Sequence, residues 1–174
     1  MTTITKNKEH EKLRLMSLTG LFAAIICLLT GYLHVPTGAG YTHIGDSGVF
    51  LAASMLPTPY AAAAAAIGAG LADGIGGFGV WIPATVVIKA LTALLFTCKK
   101  DKLLCLRNLL ALIPALVLCI VGYSLYQWLF MGAEIEAAFA QAPAYTVQIA
   151  ASSAVYLAAA SALDRSGLGR RFRG

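Results

Sequence analysis

Charge is scarce in this chain, and that scarcity is the first constraint. Lys, Arg, Asp and Glu make up 12% of the 174 residues, against 59% hydrophobic. Soluble domains carry about 25% charged residues, so a soluble globular fold is excluded. Acidic residues are scarcer than basic ones, eight against thirteen, and no paired carboxylates sit inside an apolar stretch. The four cysteines, Cys27, Cys98, Cys105 and Cys119, form no C-x-x-C pair and no pair suited to a disulfide. They read as small apolar residues. The glycines of segment 74–79 are not followed by G-K-S/T, which excludes a phosphate loop. No H-E-x-x-H occurs, and Ser152-Ser153 has no histidine placed to activate it. The chain is therefore not expected to be an enzyme, to carry a cofactor or metal, or to hydrolyse ATP by itself.

What remains is apolar sequence punctuated by cations. Twelve of the thirteen cations fall in three clusters: Lys6 to Arg14, Lys99 to Arg107, and Arg165 to Arg173. Lys and Arg near the ends of spanning helices mark the cytoplasmic side. Their flanking position favours topology and anionic lipid over nucleic acid as the reason for the net charge of +5. At about 20 residues per crossing, the length accommodates six spans. The expected fold is an all-α integral membrane bundle of six transmembrane helices with both termini cytoplasmic. A polar tail covers 1–11, the six-helix substrate-binding domain 12–164, and a basic tail 165–174. Helices are expected at about 12–33, 47–56, 60–73, 80–97, 108–130 and 142–163, and outer loops at 34–46, 74–79 and 131–141.

The thirteenth cation, Lys89, stands alone in the middle of the fourth apolar segment. A charge there costs about 2.5–3.5 kcal/mol on insertion scales, which makes it a functional candidate. It reads as a ligand contact or as an internal hydrogen-bonding partner. As a ligand contact, it would tolerate Met without harm to the fold. Asp73, about nine residues nearer the helix end, is poorly placed for a direct pair with it. His34, His43 and Asp46 match no established metal spacing. They read as a ligand-lining or gating loop, with Asp46 also suited to cap the second helix; a plain exposed loop is the alternative. Asn108, Gln127, Tyr145 and Gln148 are further polar groups on spans. Gly70 and Gly74 make a G-x-x-x-G pair for internal packing. Gly20 and Ala24 make a similar pair on helix 1, open to internal packing or to docking on another membrane subunit.

The motifs HIGD (His43 to Asp46) and GLADGIGGFGVWIPATVVIKALTA (Gly70 to Ala93) resemble those of energy-coupling factor (ECF) transporter S components, closest to the riboflavin-type branch. The resemblance covers helices 1 to 4 by motif and helices 5 and 6 by length and hydropathy. It implies the substrate-binding subunit of an ABC-type vitamin importer in the cell membrane. Its partners would be a coupling transmembrane subunit and two cytoplasmic ATPases that use the ATP. The implied ligand is a flat nitrogen heterocycle: vitamin B6-like, hydroxymethylpyrimidine, riboflavin or a queuosine precursor. The implied pocket residues are Tyr41, His43, Trp81, Lys89, Tyr123, Gln127 and Tyr145. His34, Gly38, Gly40 and Asp46 belong to a gating loop, and Gly20, Ala23 and Ala24 to a docking face. A stand-alone secondary carrier and a ligand-free structural subunit stay open as alternatives. An inverted repeat would favour the carrier; a co-purified small molecule would exclude the structural subunit.

Overall fold

The structure, a computed structural model, describes residues 2–37, 40–99 and 101–169, the side chains of residues 2–7 and 40 excepted. Gly38, Lys100 and the C-terminal arginines from Arg170 lie outside the described residues. The chain order is α1 (Thr2–Gly31), β1 (His34–Thr37), β2 (Gly40–His43), α2 (Asp46–Met55), α3 (Thr58–Ile75), α4 (Ile82–Leu95), α5 (Leu106–Phe130), α6 (Ile135–Phe139) and α7 (Ala142–Ser166), with a single 3-10 turn at Gly79–Trp81 before α4. Among the described residues, six helices have ten residues or more, and α6 is one turn in the last long loop.

Local sequence sets many of the boundaries. Pro59, Pro83 and Pro143 lie in the first turns of α3, α4 and α7, where a missing N–H costs nothing. Leu56, just before Pro57, is extended (φ −103°, ψ 152°) and ends α2, as the residue preceding a proline prefers. Gly167 takes φ 71° and closes α7, the left-handed stop that favours glycine. Helix α1 starts ten residues earlier than its expected start at 12, because residues 2–11 contain neither Gly nor Pro to stop it. Among the described residues, three stretches are long and apolar enough to cross a bilayer: Lys8–Gly31, Leu106–Phe130 and Ile135–Ser166.

The short α2 is the hub. It packs against α1, α3, α4 and α7, and nine of its ten residues are buried. Ten residues do not reach across about 30 Å of hydrocarbon. Irregular backbone at that depth is tolerated where protein surrounds it, and α2 is so surrounded. Helix α3 lies against α1 on one side and α4 on the other. A Cβ on Gly68 would come within 2.5 Å of the Ala23 carbonyl oxygen, so glycine is needed for the α1–α3 approach. Gly70 and Gly74 face Val86 and Ile82 of α4, which gives that pair its internal role.

A polar hub closes the bundle end where α2 meets α3 and α4 leads into α5. The Asn108 amide nitrogen donates to Ser54 Oγ (3.1 Å) and to the carbonyls of Thr97 and Leu103, and its Oδ1 accepts from Thr97 N–H. Asp164 accepts from the amides of Leu103 and Leu104. At the opposite end, segment 34–43 is an antiparallel hairpin rather than an irregular loop, with His34 opposite His43 and Pro36 opposite Tyr41.

Candidate functional site

The site forms beneath the hairpin, where the first turn of α2 meets α3, α4, α5 and α7. Its foundation is an ion pair. Lys89 Nζ lies 2.6 Å from Asp46 Oδ1, and both side chains are almost fully buried, at 2% and 1% exposure. Gln148 Nε2 donates to the other carboxylate oxygen at 2.7 Å. The ammonium also sits 5.4 Å from the centroid of the Tyr123 ring, within reach of a cation–π attraction. One carboxylate thus ties α2 to α4 and α7. Each charge of this pair has its partner, as burial of charge demands.

Above this pair is a small cavity. Five of the expected pocket residues line it: Tyr41, His43, Trp81, Tyr123 and Tyr145. Asp73, Thr85 and Gln148 complete the lining. The Tyr123 and Tyr145 rings stack at 5.3 Å with 22° between planes, and Trp81 meets Tyr123 edge-on at 5.8 Å. Thr85 Oγ1 and Tyr123 Oη are hydrogen-bonded at 3.1 Å. The hairpin is joined to the wall by Tyr41, whose hydroxyl donates to Asp73 Oδ1 and whose ring packs 4.5 Å from Phe78. Asp73 Oδ2 is buried and lacks a hydrogen-bond partner.

Burial pushes the His43 imidazole down to about 3; Lys89 and His34 act the same way, and Asp46 only partly opposes them. The ring is therefore neutral at physiological pH. Its Nδ1 accepts the Gly45 N–H at 3.0 Å, so the proton resides on Nε2, which becomes a donor. Burial, reinforced by the neighbouring Asp73, holds the Tyr41 phenol well above its usual range, so it remains a donor. The cavity measures about 40 Å³, space for a few waters. An aromatic ring enters only if a wall moves.

Several sequence expectations change position. Lys89 is committed to Asp46 and does not line the cavity; it lies under the floor. Gln127 is buried on α5 but also stays off the lining, and its carbonyl accepts the Met131 and Ala133 amides at the helix end. Asp46 is not the cap of α2. Gly45 holds the cap position, and the Asp46 side chain turns inward to Lys89. His34 pairs across the hairpin, with its ring 4.9 Å from Tyr41, and Gly40 pairs with Thr37. Gly38 is outside the described residues. On α1, Gly20 and Ala24 are exposed, but Ala23 is buried against α3 and is unavailable for docking. Among the described residues, no three His, Cys, Asp or Glu side chains gather as metal ligands.

Sequence reasoning missed Asp73, Thr85 and Gln148 as pocket residues. Asp73 had a signal, since it is an acid on an apolar helix immediately before a glycine-rich turn. Gln148 had a weaker one, as a lone amide on a span. Thr85 had none.

A family model described as ECF-type riboflavin transporter, S component, matches residues 11–162. No curated protein matches the chain.

Proposed function

The chain belongs to the ECF-type riboflavin transporter S component family, and from that premise we propose that it captures a small, flat nitrogen-heterocyclic vitamin or precursor at the outer face of the cell membrane. A coupling transmembrane subunit and two ATPases then drive the import. The observation that carries this reading is the aromatic-walled polar cavity at the hairpin end. Tyr123, Tyr145 and Trp81 offer ring faces, and His43, Asp73 and Gln148 offer directional polar groups. Recognition sites for flat heterocycles combine these two features.

In this reading the hairpin is the gate. A cavity of about 40 Å³ is far below the several hundred Å³ of ordinary ligand pockets. Entry requires the hairpin to lift and the Tyr41–Asp73 bond to break. Lys89 and Asp46 do not meet the ligand first; they hold the floor on which Tyr123 and Gln148 are set. The chain carries no phosphate loop, so energy comes from its partners. On α1, Gly20 and Ala24 present small residues outward, a surface suited to close helix approach by the coupling subunit.

The test is to purify the protein in mild detergent and identify any retained small molecule by mass spectrometry. A heteroaromatic compound released on denaturation, and rebound with 1:1 stoichiometry, is the expected result. Uptake of that compound into proteoliposomes is expected only when the partner subunits and ATP are present. Equal uptake by this chain alone would replace the reading with a stand-alone carrier.

A further inference from the structure

The charges at the site do not balance, and the imbalance has a location. Asp46 is matched by Lys89 and by the Gln148 amide. His43 is neutral and already accepts a backbone amide. Asp73 Oδ1 accepts the Tyr41 hydroxyl, and Thr85 stands beside the carboxyl as a further hydrogen-bonding neighbour. Its Oδ2 is buried and without a hydrogen-bond partner, on a cavity-lining residue that is 4% exposed. Among the described residues no second cation reaches the cavity. A buried carboxylate oxygen without a donor is costly. A phenol hydrogen bond alone does not neutralise the charge.

We propose that the ligand is a heteroaromatic amine whose amino or ammonium nitrogen docks on Asp73 Oδ2 while its ring lies against the Tyr123–Tyr145 pair. The inference rests on the substrate-binding reading above and narrows it to a chemical class. Tyr41 supports this assignment geometrically, because its hydroxyl already occupies Oδ1 and leaves Oδ2 as the open acceptor. The same charge excludes phosphorylated ligands. A phosphate in this cavity would meet Asp73 with no free Lys or Arg to offset it, since the one nearby ammonium is engaged beneath the floor. A ligand ammonium at Oδ2 would pair two opposite charges, a stronger contact than a neutral donor gives the same carboxylate.

The experiment compares matched probes by calorimetry on the full-length protein in nanodiscs. The pairs are pyridoxamine against pyridoxine, and 4-amino-5-hydroxymethyl-2-methylpyrimidine against its 4-hydroxy analogue; pyridoxamine 5′-phosphate is the anionic control. The wild-type protein is expected to bind the amine of at least one pair at least tenfold more tightly than its hydroxyl partner, and the phosphate more weakly still. In Asp73→Asn, whose amide donates where the carboxylate accepted, that preference should fall below threefold; Asp73→Glu should retain it at reduced affinity. Binding of the ring probes without amine preference in the wild-type protein overturns the proposal and leaves the substrate-binding reading intact. That comparison needs no variant to fold. An amine preference that persists in folded Asp73→Asn also overturns the assignment to Asp73. If no heteroaromatic probe binds and none co-purifies, both readings fail together.

Discussion

A lysine in the middle of an apolar helix has two physical fates: it meets something that arrives, or something already there. Lys89 has the second, and this reverses what its removal does. Without a partner, Lys89→Met would take an expensive charge out of the bilayer and spare the fold. With Asp46 at 2.6 Å, the same change strands a carboxylate that is 1% exposed. Removing one member of a buried pair costs about 3–5 kcal/mol, whereas replacing both is often near neutral. Lys89→Met is expected to lower the melting temperature sharply, and Lys89→Met with Asp46→Asn to recover most of the loss; a thermal melt of the detergent-purified variants measures both. His43 carries a second residue-scale prediction. Its imidazole titrates near 6.5 unfolded and near 3 folded, so between those values the unfolded chain binds more protons. Stability is therefore full above about pH 6.5 and declines below it, by up to about 1.4 kcal/mol per pH unit until pH nears 3. His43→Asn, which keeps an acceptor for the Gly45 amide, should flatten melting temperature against pH between 7.5 and 4.5. The aromatic members of the site were legible through the family resemblance carried by the motifs at 43–46 and 70–93. The pairing of Asp46 with Lys89 was not, because it joins residues 43 apart through the depth to which α2 inserts, and no local pattern encodes that depth.

The elements divide along the same line. Long helices declared themselves by apolar length between the basic clusters. The hairpin did not: its strands are four residues each, and the Gly, Pro and Thr that flank or enter them spell a loop. Pro36 is tolerated because a two-stranded sheet consists entirely of edges. The shortness of α2 was visible, but its burial on all sides follows from packing between segments distant in sequence. Helix α1 shows how packing refines a motif. Gly20, Ala23 and Ala24 are all small, yet Ala23 faces Gly68 at backbone contact, while Gly20 has nothing within 4 Å of where a Cβ would stand. The two faces should therefore respond differently. Gly20→Leu with Ala24→Leu is expected to abolish co-purification with the coupling subunit while leaving the melting temperature and ligand affinity unchanged, since bulky side chains prevent close helix approach. Ala23→Leu should do the opposite, overpacking the α1–α3 seam by about 1–3 kcal/mol with assembly lost only in proportion to folding. Pull-down and melting of the two variants side by side separate the faces.

For the whole molecule, two ends of unlike chemistry follow from how the helices alternate. One end gathers the hairpin, the aromatic cavity, the 3-10 turn before α4 and the α6 turn. The other gathers the start of α1, the 99–107 segment and the end of α7, together with the Asn108 and Asp164 hubs that tie it down. Among the described residues, Lys8, Lys12, Arg14, Lys99, Lys102, Arg107 and Arg165 fall at this second end, and the loop at 131–141 contains Glu134 and Glu136 but no Lys or Arg. The usual cationic bias makes one orientation the expected one: hairpin end outward and both termini inward, with α2, α3 and α4 as crossings despite the shortness of α2 and α4. The orientation matters, because an inverted molecule would open the cavity toward the cytoplasm, where it could not collect a nutrient. Single cysteines on a cysteine-free background distinguish the arrangements. Glu136 and Lys99 are both exposed and stand at opposite ends. Glu136→Cys is expected to react with an impermeant maleimide on intact cells, and Lys99→Cys only after permeabilisation. Reaction of Glu136→Cys from the cytoplasmic side alone would invert the molecule and remove the physical basis for capture from outside.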